Sequence, residues 1–236
     1  MLYLMGGMPR SATTWVFNVA DLILRNRGIH CRKVNANSPD QLDGAIADNN
    51  PEESVLVHFH DVSDRLRKLA GQPRVRLAYT YRDPRDVVCS QMKLHSVSFE
   101  QAVAMTSLAC NHLLEVLKLP GRLLIPYYSA TRHQEAVVYA LAFHLGHMIG
   151  QGEVETICRE TSAEKFKSVM EQLNKGGEDT ENVATGHRQI RYDPETLIND
   201  RHIQSGKTGR WKEELSEEQQ RVLQDVFGKF VKKVIL

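Results

Sequence analysis

The sequence predicts an α/β fold: a single domain over residues 1–236, with a central parallel sheet and helices on both faces. The first observation is that short apolar segments alternate with amphipathic helical segments as far as residue 150, which is typical of βαβ units. The second is length, because 236 residues can form one domain with a substantial core. The third is composition, since 42% hydrophobic and 25% charged residues are close to the globular average.

The alternation predicts the positions of the individual elements. Strands are expected near 2–6, 31–34, 54–59, 75–81 and 122–128, and helices near 13–27, 39–49, 62–71, 84–94, 98–118, 132–148 and 216–234. Capping signals mark three of the helix starts, at Ser38 before Pro39, at Ser98 and at Ser216. Residues 174–210 are polar and contain several glycines, so we predict a long loop that covers a bound cofactor.

Charge and hydropathy exclude several classes of protein. The formal net charge is +1, from 30 basic and 29 acidic residues, which predicts no nucleic-acid or membrane partner. No apolar run reaches the roughly 18 residues of a membrane span, and the N-terminus lacks the pattern of a signal peptide. The four cysteines form no zinc or redox motif, which predicts free thiols at Cys31, Cys89, Cys110 and Cys158. We therefore expect a cytoplasmic protein.

The N-terminal residues 2–15 predict a site for an oxyanion. They read as a strand, a tight loop of small residues and the start of a helix, which directs backbone N–H groups and the positive helix end at one point. The NTP-binding pattern G-x-x-x-x-G-K-[ST], begun at Gly7, puts Ala12 at its second glycine and Thr13 at its lysine. An ATP-dependent small-molecule or nucleotide kinase therefore remains only an alternative.

The residues from Arg10 to Trp15, Arg-Ser-Ala-Thr-Thr-Trp, resemble the 5′-phosphosulfate loop of sulfotransferases that use 3′-phosphoadenosine 5′-phosphosulfate (PAPS). That loop is usually Lys-Ser-Gly-Thr-Thr-Trp, so Arg10 and Ala12 depart from it. The resemblance implies the P-loop NTPase-like sulfotransferase fold and a metal-free, in-line displacement at sulfur. It also implies cofactor contacts from Arg10, Ser11, Ala12, Thr13, Thr14 and Trp15.

A second motif follows a predicted strand. The residues from Arg82 to Ser90, Arg-Asp-Pro-Arg-Asp-Val-Val-Cys-Ser, resemble the 3′-phosphate segment of the same family and match it throughout. Arg82 has a bidentate fork suited to a phosphate, and Ser90 can add a hydroxyl donor. We expect Asp86 to stabilise the helix start or to orient an arginine rather than to touch the ligand.

A third motif lies at the end of the buried strand over 54–59. His58 and His60 are two residues apart at a strand end, where ligands bind in open α/β sheets, so both could face the cofactor. The segment resembles the family's Lys-Thr-His, which implies that His60 is the general base and that His58 takes the position of the lysine. Arg10 is the third catalytic candidate, with an electrostatic role because a guanidinium stays charged.

Residues 202–212 resemble the family segment Arg-Lys-Gly-x-x-Gly-x-Trp-Lys, which wraps the 3′-phosphate. Gln204 and Ser205 stand in the arginine and lysine positions, so neutral groups replace two charged donors. Gly206, through its amide, and Lys207 are expected to substitute in part. The resemblance therefore adds these four residues to the cofactor site.

Further residues are expected at the adenosine end. Thr161 and Ser162 resemble a Thr-Ser-Phe element near the adenine, but Ala163 replaces the aromatic residue. Tyr128 fits a tyrosine that touches the adenosine, although a buried tyrosine with a satisfied hydroxyl explains it equally well. His144 and His147 are three residues apart on a predicted helix, but no third ligand is evident, so no metal site is predicted.

Together these motifs imply a sulfotransferase that moves a sulfuryl group from PAPS to a hydroxyl or amine of a small-molecule acceptor. A noncatalytic nucleotide-binding module is a second alternative, because Gln204, Ser205 and Ala163 depart from the family pattern. The sequence identifies neither the acceptor nor the oligomeric state.

Overall fold

A computed structural model describes residues 1–47, 52–175, 181–185, 188–200 and 206–235, and it describes only the backbone at 181–185 and 188–190. Five parallel strands form the central sheet in the order β2-β3-β1-β4-β5. Their bounds are β1 Leu2–Gly7, β2 Cys31–Ala36, β3 Ser54–Phe59, β4 Val75–Tyr81 and β5 Arg122–Pro126. This order places β1 in the centre of the sheet, with β3 on one side and β4 on the other. The carboxyl ends of these three parallel strands are therefore adjacent.

Helices cover both faces of this sheet, as predicted. They are α1 Thr13–Arg25, α2 Pro39–Ala47, α3 Asp64–Leu69, α4 Pro84–His95, α5 Phe99–Val116, α6 Tyr127–Arg132, α7 Gln134–Leu145, α8 Gln151–Glu160, α9 Ala163–Asn174, α10 Trp211–Glu214 and α11 Glu217–Phe230. A π-helical turn, Val231–Ile235, follows the last of them.

The sheet divides the hydrophobic core into two clusters. Alternate residues of β1 enter opposite clusters: Leu2 and Leu4 pack with α2, α4, α5 and α11, whereas Tyr3 and Met5 pack with α1 and α7. Because both faces are covered, β1 is buried along its whole length, which explains its continuous apolar sequence. The two-sided core confirms the α/β class that the sequence predicts.

The predicted strand over 122–128 is two residues too long. β5 ends at Pro126, and the two tyrosines that follow it begin α6. Proline lacks a backbone N–H and cannot continue the ladder, yet it is well suited to precede a helix. The predicted helix over 132–148 is also too long, because His133, at φ −131°, separates α7 from α6 and Gly146 ends α7 at φ 91°.

The predicted covering loop over 174–210 contains regular structure. Strands β6 Glu181–Thr185 and β7 Arg188–Tyr192 form an antiparallel hairpin. The turn after it is anchored to the domain, since Asn18 Nδ2 of α1 donates to the Thr196 carbonyl at 2.7 Å and Lys33 Nζ lies 3.0 Å from Glu195 Oε2. The helices α8 and α9 lie just before residues 174–210, in a stretch for which the sequence predicts no element.

Three predicted helix starts are correct. Ser98 and Ser216 each form a complete capping box, and Ser38 Oγ accepts from the Gln41 N–H at 3.2 Å beside Pro39. All four cysteines are free thiols. Within the described ranges, none of the helices combines the length and the hydropathy that crossing a bilayer would require.

Candidate active site

The loop after β1 turns tightly around a glycine. A Cβ atom on Gly7 would lie 2.0 Å from Thr80 Oγ1 and 2.3 Å from Thr13 Oγ1, so this position admits no side chain. Arg10 and Ala12 then adopt left-handed backbone conformations, with φ of 65° and 72°. The loop thereby returns to the N-terminus of α1, where unpaired backbone N–H groups favour an anion.

Hydroxyl groups hold the shape of this loop from inside. Ser11 Oγ lies 2.6 Å from Thr80 Oγ1 and donates to the Met8 carbonyl at 2.5 Å, and the Ser11 side chain is fully buried. Thr13 Oγ1 lies 2.9 Å from the same Thr80 hydroxyl. The Ser11 hydroxyl is therefore committed to the loop, which leaves its backbone N–H as the group that can face a ligand.

The left-handed conformation at Ala12 predicts a gain in stability on substitution. An L-residue with a Cβ costs roughly 1–2 kcal/mol there, and glycine returns part of that as unfolded-state entropy. Ala12→Gly should therefore raise the free energy of unfolding in urea by up to about 1 kcal/mol. Ala104→Gly, on the exposed face of α5, should lower it by about 1 kcal/mol. Equal losses in both variants would contradict strain at Ala12.

Arg10 connects the loop to the second motif. Its Nε donates to Ser90 Oγ on α4 at 2.9 Å, although 80 residues separate the two in sequence. Burial, and then the charge of Arg82, lower the pKa of Arg10 to about 10, so the group remains a cation at neutral pH. The partly buried Arg10 and the buried Arg82 thus lie close together, which is favourable chiefly when an anion is bound between them.

The Arg82 guanidinium is buried at the end of β4. It lies over the ring of Tyr127 at 4.0 Å, and it donates to the carbonyls of Arg10 at 3.3 Å and Lys207 at 2.8 Å. Its Nε is buried and has no hydrogen-bond partner among the described residues. Arg82 therefore retains a donor for a further acceptor group at this edge of the sheet.

Asp86 orients Arg82, as expected, and it also holds the backbone that follows Gly206. Its Oδ2 lies 3.5 Å from Arg82 Nη2 and accepts from the Gly209 N–H at 2.8 Å, while its Oδ1 accepts from the Trp211 N–H at 3.3 Å. The backbone of Lys207 is thereby held against Arg82. Gln204 and Ser205 lie outside the described residues.

The two histidines of the third motif lie together, with ring centroids 4.9 Å apart. His60 Nδ1 is 2.7 Å from the Gly7 carbonyl, which can only accept, so Nδ1 carries the proton and Nε2 keeps its lone pair. Burial lowers the pKa of His60, while its bond to Gly7 opposes that shift. His58 is turned toward β2, where its Nδ1 lies 3.0 Å from Asn35 Oδ1.

Of the residues expected at the adenosine end, Trp15 and Thr161 lie together, whereas Tyr128 lies elsewhere. Trp15 Nε1 donates to Thr161 Oγ1 at 3.2 Å, which brings those two together, and Ser162 caps α9 through its hydroxyl. Tyr128 is 56% exposed and packs against His133, away from Arg82. Of the two neighbouring tyrosines, it is Tyr127 that reaches Arg82, because β5 ends at Pro126, two residues before the predicted strand end.

Comparison with known protein families identifies the chain. The profile of the sulfotransferase domain matches residues 3–234, nearly its whole length. The chain belongs to the sulfotransferase family. The enzyme class and the single-domain fold that the sequence motifs imply are thereby confirmed. A search of curated protein sequences finds no significant match.

Solved structures of the same fold support this assignment. Retinol dehydratase in complex with androsterone and the inactive cofactor PAP has a TM-score of 0.67 and 17% identity, covering 100% of this chain and 81% of that one. Its complex with retinol and PAP has a TM-score of 0.68, 16% identity and coverages of 100% and 82%. The mouse sulfotransferase SULT7A1 with PAP has a TM-score of 0.67, 14% identity and coverages of 98% and 84%.

Several residues of this candidate site were not found from the sequence. Thr80 is one, since its hydroxyl is recognisable only once β4 lies beside β1. Tyr127 is another, although its place directly after Pro126 was a usable signal. Asp61 and His112 are also missing; they lie 3.5 Å apart beside His60 and come from distant parts of the chain.

Proposed function

We propose that this sulfotransferase takes its sulfuryl group from PAPS and transfers it to a hydroxyl of a small-molecule acceptor. The observation that carries the proposal is the meeting of three distant motifs at one sheet edge. Arg10 Nε bonds to Ser90 Oγ at 2.9 Å, and His60 Nδ1 bonds to the Gly7 carbonyl at 2.7 Å. An anion cradle, a pair of arginines and a histidine base are the groups that this reaction needs.

The described residues fit both anionic ends of such a donor. We assign the 5′ end to the backbone N–H groups of the loop from Arg10 to Thr14, at the start of α1. We assign the 3′-phosphate to Arg82 and Ser90, because the buried Nε of Arg82 has no hydrogen-bond partner among the described residues. Trp15 and Thr161 are proposed to contact the adenine, and Gly206 and Lys207 to cover the phosphate. The PAP in the similar solved structures supports this donor.

In the proposed mechanism, His60 is the general base. Its Nε2 accepts the proton of the acceptor hydroxyl as the oxygen–sulfur bond forms, and the bond from sulfur to the leaving phosphate oxygen breaks. When bound, the donor supplies the electrophilic sulfur and that leaving group. Burial lowers the pKa of His60 and so keeps the base neutral at pH 7. Arg10 and the loop N–H groups stabilise the charge that moves onto the leaving oxygen.

We assign His58 a positioning role. It stands where the family pattern has a lysine, but its side chain is buried and its Nδ1 faces Asn35 on the neighbouring strand. Its ring meets the His60 ring nearly at right angles, at 85°. Such packing restricts the rotation of the His60 ring. We assign the electrostatic role of the family's lysine to Arg10, which stays charged at neutral pH.

The proposal predicts selective binding of adenosine 3′,5′-bisphosphate (PAP). In calorimetric titrations, PAP should bind more tightly than ADP, and more tightly than ATP with magnesium, because only PAP carries a 3′-phosphate for Arg82. A 3′-phosphate held by a buried arginine adds at least about tenfold in affinity. Binding of ATP with magnesium more tightly than PAP would overturn the proposed donor and favour a kinase.

A further inference from the structure

Asp61 directly follows the catalytic candidate His60 and has few contacts of its own. Its carboxylate lies 3.5 Å from His112 Nδ1 on α5, which is longer than a normal hydrogen bond. Among the described residues it accepts no hydrogen bond, and its side chain is 32% exposed. The base therefore has beside it a carboxylate that is accessible to a small molecule.

A buried hydroxyl faces the same region. Tyr79, on β4, is fully buried, and its hydroxyl has no hydrogen-bond partner in the part of the chain that the structure describes. Burial, and then the Asp61 carboxylate, raise the pKa of Tyr79, so the two groups lie within electrostatic reach. Because that hydroxyl is buried, it does not itself contact a ligand, and Asp61 remains the accessible group of the two.

One face of α5 continues this polar region with apolar side chains. Met105, Leu108 and His112 are spaced by three and four residues, which places them on the same side of the helix. Met105 and Leu108 are 39% and 55% exposed, whereas most apolar residues of this domain are buried. The face of α5 that reaches Asp61 through His112 therefore also carries two exposed apolar side chains.

The charges around His60 differ in sign. Arg10 lowers the pKa of His60, and Asp61 raises it. His60 is therefore near a cation that is assigned to the anionic donor and near an anion that the donor does not use. A positively charged ligand can pair with the Asp61 carboxylate without approaching the arginines.

From these observations we propose that Asp61, with His112, forms an acceptor subsite for a protonated amine. The acceptor class is then a small amphipathic amine that also carries the hydroxyl to be sulfated. Its ammonium group lies at Asp61, its apolar body on Met105 and Leu108, and its hydroxyl at His60. A cation is favoured over a neutral group because a partly buried carboxylate binds a charged donor more strongly. This inference rests on the proposed function.

The test compares two phenols of the same shape. Tyramine carries an ammonium group, and 4-propylphenol replaces it with a methyl group. Each is titrated by calorimetry into protein saturated with PAP. Tyramine should bind about tenfold more tightly to the wild type, and Asp61→Asn should remove that difference. Asp61→Glu, which keeps the charge, should retain part of it.

Asp64→Asn is the matched control, since Asp64 is an exposed carboxylate three residues further along that pairs with Arg67. It should leave the preference for tyramine unchanged. In turnover with PAPS, Asp61→Asn should raise KM for tyramine with little change in kcat.

Two results would overturn the subsite: equal affinity of the wild type for both phenols, or a preference that survives in Asp61→Asn. PAP affinity is measured first in every variant. Failure of the wild type to bind PAP refutes the proposed donor, whereas normal PAP binding without a tyramine preference refutes only the amine subsite.

Discussion

Replacing His60 with alanine should lower kcat by about 100-fold to 10,000-fold, the range that removal of a general base usually gives. PAP should still bind with nearly normal affinity. His60 bonds to the carbonyl of Gly7, and it does not contact the backbone N–H groups that are assigned to the phosphate. His60→Gln should be equally impaired, since an amide can replace the hydrogen bond but cannot accept a proton at neutral pH. Single-turnover rates with bound PAPS measure the chemical step directly.

His30→Ala is the matched control for this experiment. His30 is an exposed histidine just before β2, at the opposite edge of the sheet from the candidate site. It should leave the rate unchanged. Retention of more than a tenth of the wild-type rate in both His60 variants would contradict the assignment of the base. His58, whose ring lies against His60, would then be the next candidate.

The pH dependence of the rate follows from the same residue. Burial lowers the pKa of His60 below the ordinary value of 6.5, and only the neutral ring can accept a proton. The rate should therefore be constant near pH 7 and fall only as the pH drops below about 6.5, with an acid limb that is absent in His60→Ala. The unfolded chain binds this proton more readily than the folded one, so stability should also decrease as the pH falls through this range.

The sequence predicted the parts of the site that belong to single strands. β1, β3 and β4 are apolar runs buried on both faces, and each ends within one residue of its predicted end. Because parallel strands present their carboxyl ends at one edge, the residues that follow them had to meet there. For this reason the sequence alone indicated that Arg10, His60 and Arg82 belong to one site.

Contacts that depend on the packing of distant elements could not be predicted. Ser11 is expected to contact the cofactor, but nothing local shows that its hydroxyl bonds to Thr80 of the neighbouring strand, which leaves its backbone N–H for a ligand. Tyr128 was chosen instead of Tyr127 because the predicted strand was extended past Pro126, although a proline there is a signal for the end of β5. The approach of Asp61 to His112 requires α5 to lie beside the chain that follows β3, and no local pattern contains that information.

Replacing Arg82 with methionine should lower PAP affinity by about 100-fold or more, since truncating one member of a buried, hydrogen-bonded charge pair usually costs 2–5 kcal/mol. The variant also leaves Asp86 without its cation in the interior. The double variant Arg82→Met/Asp86→Asn removes both charges, so it should restore much of the lost stability while PAP still binds weakly. Affinity is measured by calorimetry and stability by urea denaturation.

The decisive comparison is between PAP and adenosine 5′-monophosphate, which lacks the 3′-phosphate. If Arg82 binds that phosphate, replacing Arg82 should weaken PAP binding strongly. Binding of the monophosphate should be nearly unaffected, so the two affinities should become similar. Arg85→Met is the control, because the Arg85 guanidinium lies over Trp211 at 4.3 Å and pairs with Asp83. It removes an equal charge from the same helix start and should preserve the difference. An equal loss of both nucleotides in the Arg82 variants would mean that Arg82 only supports the loop through the carbonyls of Arg10 and Lys207.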